Sequence, residues 1–389
     1  MKNKSSASSP RKKPRAIDLF AGAGGLSEGL RRAGFQTIVA NEADEMAAKT
    51  FHFNHPEVPL IIRDVREVNS DEILCAGGVK KGEVELVCGG PPCQGFSLAG
   101  QRLGADPRNS LFKEFVRIVK GVEPRLFLFE NVPGITSMQS GRVLDAILRE
   151  FKQLGYKCAF RVLNAADYGV PQARPRFILL GSLDEFEPSF PEPTHIAKRL
   201  EKKNACWGVQ AELFSENKLN QLSVWDALSD LPLVDQGEGA EEIDHRPSRQ
   251  NQYQRDRCGS RLPGKLFNHR ATRHGEVVSK RYAAIPQGGD NSEVPEHLRT
   301  KKINVFKLHQ ERVARTVTCN HRTDLLHPIL PRGTTVREAA RLQSFDDDYC
   351  FFGNLTRKAK WVTQDDQVGN AVPPLLAEAI CKNLIERHL

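Results

Sequence analysis

The feature that most constrains this 389-residue chain lies near its start, where Ala16-Ile17-Asp18-Leu19-Phe20 runs straight into Ala21-Gly22-Ala23-Gly24-Gly25. A short apolar run stopped by glycines reads as a strand ending in a tight turn. Leu26, Leu30 and Ala33 then recur at helical spacing, and Gly34 ends the helix. Strand, glycine turn and helix in that order point to an α/β arrangement. The helix N-terminus offers free N–H groups to a nucleotide-like ligand. The spacing Gly22-x-Gly24-x-x-Ser27 leaves the dinucleotide fingerprint incomplete, so the turn alone does not name that ligand.

Later strands add candidate chemistry at the same sheet edge. Thr37 to Ala40 leads into Asn41-Glu42, and Glu42 lies 20 residues beyond Gly22, where an acid usually holds a ribose diol. Val58 to Ile62 ends at Arg63-Asp64, and Asp64 is either a ligand contact or a loop or helix-capping residue. Glu85 to Cys88 is an apolar run stopped by Gly89-Gly90-Pro91-Pro92, which puts Cys93 just past the carboxyl end of a strand. Arg125 to Phe129 runs into Glu130-Asn131-Val132-Pro133, and a carboxylate after four apolar residues is partly desolvated, which raises its pKa. Residues 141–154 form an amphipathic helix. Cys158 to Leu163 and Phe177 to Leu180 read as a hairpin-like pair around Gln172-Ala173-Arg174-Pro175-Arg176. Arg174 and Arg176 share one face of that extended segment, as functional groups or as a solvated pair.

Charge and composition narrow the partner. The chain holds 39% hydrophobic and 27% charged residues, with no run of 18 apolar residues and no apolar stretch of the secretory-signal kind. Its nine cysteines form no CxxC pair, and Cys75, Cys88 and Cys158 sit in apolar runs, which fits reduced intracellular thiols without disulfides or zinc. Residues 1–15 carry six Lys/Arg, and residues 246–323 carry 17 against six Asp/Glu. The rest of a chain of net charge +8 is therefore acidic. Two basic segments on an acidic body fit a polyanion such as nucleic acid, the alternative being a solvated face. Residues 1–14 read as a disordered tail. From 185 to 320 strands become hard to place, and Trp207, Tyr253, Phe267 and Tyr282 interleave with Arg and Gln. This stretch reads as a separate irregular lobe facing nucleic acid. Helices return at Thr335 to Gln343 and from about Pro373 to Arg387.

Six stretches, in order, resemble the cytosine-C5 DNA methyltransferase family, of the bacterial modification type. They are Asp18 to Gly25, Gly90-Pro91-Pro92-Cys93-Gln94, Glu130-Asn131-Val132, Gln172 to Arg176, Arg337 to Gln343, and Gly369-Asn370-Ala371-Val372. The resemblance covers about residues 15–183 and 312–389 and implies a Rossmann-like sheet with helices on both faces plus a smaller target-recognition domain. The expected division is a catalytic domain over 15–184, a target-recognition domain over 185–320, and a return to the catalytic domain over 321–389. S-adenosylmethionine is the implied cofactor, with S-adenosylhomocysteine as product. Double-stranded DNA is the implied partner of a monomeric cytoplasmic enzyme, with a companion restriction endonuclease acting on the same site. By position, Cys93 is the nucleophile, Glu130 the acid at cytosine N3 and Asn131 the brace of the Cys93 loop. Arg174 and Arg176 contact the flipped base. Phe20, Ala21, Gly22, Gly24, Gly25 and Leu26 line the cofactor, together with Ala43, Val65, Pro91 and Leu111. Glu42 holds its ribose, Asp64 its adenine amine, and Asn370 and Val372 close the pocket. Gln94, Ser97 and Gln172 fall to the DNA, and no metal is expected.

Cytosine C5 is a poor nucleophile, and thiolate addition at C6 makes it an enamine. Charge growing on N3 and O2 then needs a proton donor and a cation, here Glu130 and Arg174. The alternative for Cys93 is a buried inert thiol. A transfer-RNA methyltransferase with the same catalytic set is one competing reading, and the long basic insertion together with Gln94-Gly95-Phe96-Ser97 argues for DNA. A non-catalytic DNA-binding module is another, and it would have no need of Cys93, Glu130 and the glycines. An amino-methyltransferase would carry an Asp/Asn-Pro-Pro-aromatic loop, which Gly90-Pro91-Pro92-Cys93 is not.

Overall fold

Alternate residues of the central strands separate onto two apolar faces, and both are covered. The computed structural model describes residues 12–92, 111–197, 218–245, 248–355 and 361–389. Strands β1 (Arg15–Leu19), β2 (Gln36–Asn41), β3 (Leu60–Ile61), β4 (Leu86–Gly89), β5 (Leu126–Asn131), β6 (Lys157–Asn164) and β7 (Pro175–Ser182) form one sheet. Its order is β3-β2-β1-β4-β5-β7-β6, and only β7 runs against its neighbours. The hairpin read from Cys158 and Phe177 is thus β6–β7. Such strands read as near-continuous apolar runs because both faces are buried.

Ile17, Leu19, Val87, Phe127 and Phe129 face helices α3 (Ser70–Ala76), α4 (Leu111–Val122) and α5 (Arg142–Gln153). Phe127 stacks on Phe151 of α5 with ring centroids 3.9 Å apart. Ala16, Leu86, Cys88, Leu126 and Leu128 face the other way, onto Leu26 and Leu30 of α1 (Gly25–Ala33) and Leu376, Ile380 and Leu384 of the C-terminal helix. Helix α2 (Glu45–Asn54) follows β2, capped by Asp44, whose carboxylate accepts from the Met46 and Ala47 amides. The chain steps outward from β1 to β3, then returns to β4 on the other side of β1. That reversal opens a crevice at the carboxyl ends of β1 and β4.

After β7 the elements become short: β8 (His195–Ile196), β9 (Leu219–Asn220), α6 (Val224–Leu228), β10 (Gly239–Asp244), α7 (Gln252–Asp256), β11 (Lys265–Arg270) and α8 (Glu276–Ala284). There follow β12 (Phe306–Lys307), α9 (His321–Asp324), β13 (Leu325–Leu326), α10 (Val336–Leu342), α11 (Gln364–Asn370) and α12 (Pro374–His388). The strands pair two by two, as β8 with β9, β10 with β11 and β12 with β13. Their core joins Val224, Leu228, Tyr253 and Leu266 to Val317, Val336, Leu342, Phe345, Tyr349, Phe351 and Val368. Buried arginines frame it. Arg332 pairs with Glu338 at 2.8 Å, and Arg341 bridges Asp230 and Asp347 at 2.9 and 2.6 Å.

Two expectations change here. Tyr253, Phe267 and Tyr282 are buried, so they serve the core and do not face nucleic acid; Trp207 lies outside the described residues. The core of the inserted part also runs through α10 to Val368, so position 320 falls inside one packing unit. Val372 and α12 return to the large sheet's apolar face, where Gly29 lets α1 approach so closely that a Cβ there would lie 2.3 Å from Ala377 Cβ. Among the described residues no helix is long and apolar enough to cross a membrane.

Candidate active site

The crevice at β1 and β4 is a cavity of about 600 Å³. One wall is the turn between β1 and α1, where Phe20 and Gly22 take left-handed φ values of 57° and 56°. The turn is tied to β2 through Glu42. One carboxylate oxygen accepts from the Gly22 amide at 2.8 Å, and the other accepts from the Ala43 and Asp44 amides at 2.9 and 2.8 Å. Burial pushes the Glu42 carboxyl up, against the pull of these amides. Gly25 carries no side chain because a Cβ would meet the Val372 carbonyl oxygen at 2.3 Å, which brings the loop before α12 onto the start of α1. Phe20, Ala21, Gly22, Gly25, Leu26, Glu42, Ala43, Asp64, Val65, Pro91, Leu111, Asn370 and Val372 all line the cavity.

The other wall carries Glu130, Asn131 and Arg176. Asn131 donates to the Pro91 carbonyl at 2.9 Å, so β5 holds the Gly90-Pro91-Pro92 segment in place. Glu130 and Arg176 meet at 2.9 Å, both with side chains about one-tenth exposed. Burial pushes the Glu130 carboxyl up, while Arg176 and then Arg174 pull it down. A buried acid that resists ionisation beside a cation can donate a proton at one atom and steady negative charge at the next.

A sequence model of the C-5 cytosine-specific DNA methylase family matches residues 15–386. The chain belongs to that family. The methylase is 37% identical over 387 residues to the Type II methyltransferase M.DdeI of Desulfomicrobium norvegicum, covering 95% of this chain and 88% of that protein. It is 35% identical over 378 residues to the Type II methyltransferase M1.HphI of Haemophilus parahaemolyticus, with 96% and 87% covered. A crystal structure described as a candidate DNA modification methyltransferase encoded in an Escherichia coli prophage superposes with a TM-score of 0.73 at 28% identity. That match covers 96% of the methylase and 99% of the other chain.

Several anticipated site residues sit elsewhere. Arg174 of the methylase is fully buried and does not line the cavity. Its guanidinium donates to the carbonyls of Val317, Gly369 and Ala371 at 2.7, 2.5 and 3.1 Å. Gln172, expected at the DNA, is also fully buried. It donates to the Leu342 carbonyl and the Gln343 side chain and accepts from the Val317 amide. Both lace the segment before β7 to the inserted lobe and to the loop after α11. Gly24 does not line the cavity, and a Cβ there would lie 2.6 Å from Tyr349 Oη. Asp64 lines the cavity and also caps a short turn, accepting from the Arg66 amide and side chain, which holds its carboxyl low. The capping reading of Asp64 is thus observed, and its place on the cavity wall leaves the ligand contact as a proposal. Cys93, Gln94 and Ser97 lie outside the described residues.

Asn41, Gly90, Pro92 and Val132, named in the sequence only as neighbours of site residues, also line the cavity, as do Asp44, Ala47, Met138, Val362, Asp366 and Gln367, for which no site role was read. Two carried a signal. Asp44 precedes a helix as an N-cap, two residues past Glu42. Thr363 and Asp366 form a capping box that starts the helix ending at Asn370. Asp18 was also missed. It is fully buried on β1 with its carboxyl pushed up to about 7, mainly by burial, while the Ser27 hydroxyl donates to it at 2.7 Å.

Proposed function

We propose that this methylase transfers a methyl group from S-adenosylmethionine to C5 of a flipped-out cytosine in a specific double-stranded DNA sequence, through a covalent bond from Cys93 to C6. The observation that carries the reading is that the Glu130–Arg176 pair and the Glu42-tied glycine turn line one cavity. The residues fit the cofactor. Three N–H groups occupy three of the roughly four lone-pair positions of the Glu42 carboxylate, leaving acceptor capacity for a ribose hydroxyl. Leu111, Val65 and Phe20 would supply apolar surface for the adenine, and the cradle closed by Gly25 and Val372 would take the amino-acid part.

When bound, the cofactor supplies an electrophilic methyl group. Cys93, placed by sequence immediately after Pro92, adds as thiolate to C6 of cytosine. The electron pair released toward N3 is met by the proton of Glu130, and Arg176 stands beside that carboxyl to balance charge at O2. This gives Arg176 the part first read for Arg174, because the Arg174 guanidinium is committed to three carbonyls. Asn131 keeps the Pro91 carbonyl, and with it the run into Cys93, at a fixed distance from Glu130. After methyl transfer a base takes the C5 proton, its bonding pair forms the C5–C6 double bond as Cys93 leaves as thiolate, and N3 returns its proton to Glu130. Chemistry on a base requires it to leave the stack, at a cost of a few kcal/mol. The basic 246–323 stretch offsets this through phosphate contacts. The enzyme acts as a monomer in the bacterial cytoplasm, with a companion restriction endonuclease that reads the same sequence without a stable complex.

Cys93→Ser tests the covalent step. Turnover should fall below detection while S-adenosylhomocysteine still binds, because serine stays neutral and is the weaker nucleophile. Full activity in that variant would sink the mechanism.

A further inference from the structure

The glycine turn is held from behind by the inserted lobe. Ala23 lines the cavity and at the same time belongs to the lobe's apolar core. Tyr349, wholly buried with its ring against Phe345 and Phe351, donates its hydroxyl proton to the Ala23 carbonyl. The Tyr349 hydroxyl oxygen also lies 3.1 Å from Nε2 of His55, at the end of α2. A hydroxyl has one proton to give, so it accepts from His55, which carries its hydrogen on Nε2. Burial lowers the His55 pKa to about 4, which keeps the ring neutral. Gly24 leaves no room to relax, since a Cβ there would also lie 2.9 Å from His55 Nε2.

The segment carrying Tyr349 is fixed on both sides. Arg337 donates to the carbonyls of Asp346 and Tyr349. Asn54, next to His55, donates to the Cys350 carbonyl at 2.8 Å and accepts from its amide at 3.1 Å. We propose that Tyr349 is a positioning residue for the cofactor: through the relay His55–Tyr349–Ala23, a side chain of the lobe sets the turn against which S-adenosylmethionine lies. The inference rests on the reading that this cavity takes that cofactor. It makes cofactor affinity, and not the chemical step, the quantity that depends on the hydroxyl.

The test compares wild type, Tyr349→Phe, His55→Phe and the double variant. Calorimetry with S-adenosylhomocysteine gives Kd, and steady-state assays give kcat and the KM for S-adenosylmethionine and for DNA. Each single change should raise the cofactor Kd and KM about fivefold, the worth of one buried hydrogen bond, with kcat and the DNA KM within about twofold. The double variant should be no worse than the weaker single, because both changes break one relay. An unchanged cofactor Kd in folded variants, whatever their melting temperature, overturns the proposal. So does a loss of kcat at constant KM, or failure of both single variants to fold, which would make the hydroxyl a scaffold element only. A wild-type protein that does not bind S-adenosylhomocysteine would instead overturn the cofactor reading, and this inference with it.

Discussion

Arg174 and Arg176 stand two residues apart on one extended segment, yet the fold gives them opposite work. Arg174 spans three backbone carbonyls in the interior, and Arg176 meets Glu130 at the cavity. Arg174→Met should therefore lower unfolding free energy by on the order of 3 kcal/mol, seen in denaturant titration, because three buried acceptors lose their donor. Arg176→Met should cut turnover by about a hundredfold or more and change stability far less. The reverse pattern would undo the assignment. A second prediction concerns Asp18. Its carboxyl is raised to about 7, whereas in the unfolded chain it titrates near 3.8. Between those values the folded state keeps a proton the unfolded state has lost, so this group makes the fold less stable as pH rises through that window. Asp18→Asn cannot ionise, and the stability difference between variant and wild type should grow from pH 4 to pH 7, by up to roughly 1.4 kcal/mol per unit. A flat difference would mean Asp18 is ionised when folded. The types and order of the site residues were legible in the sequence. Which arginine turns inward was not, because that is decided by carbonyls at 317, 369 and 371, far away in the chain.

The strands, the turn and the long helices were readable because their apolar periods are local. The β6–β7 hairpin and the helices at α5, α10 and α12 fall close to where the periodicity puts them. The lobe was less legible, since its elements are two to nine residues long and draw their order from a shared core and from buried pairs such as Arg341 with Asp230 and Asp347. Aromatic residues there looked like base-facing groups, and Tyr253 and Tyr282 instead fill that core and its smaller neighbour. Where two helices meet, glycine sets the distance. Gly29→Ala would drive a Cβ to 2.3 Å from Ala377 Cβ across α1 and α12. Thermal unfolding should show a loss of about 1–3 kcal/mol from overpacking. No loss would mean that α12 can slide outward at no cost.

At the scale of the whole molecule, the chain joins an α/β sheet that carries the cavity to an irregular lobe that carries the excess positive charge. The two are not independent. Tyr349 reaches the glycine turn, Arg261 reaches the Asn54 carbonyl at 2.5 Å, and Arg174 binds three carbonyls across the junction. A sequence-based boundary at 320 missed this because composition changes there while packing does not. Everything in the site is read as serving methyl transfer to cytosine C5 in duplex DNA. Its most direct test incubates the protein with labelled S-adenosylmethionine and, in parallel, genomic DNA and total RNA, and then maps 5-methylcytosine. Label should enter DNA at one short repeated sequence and leave RNA unlabelled. Label in RNA alone, or in neither, would contradict it.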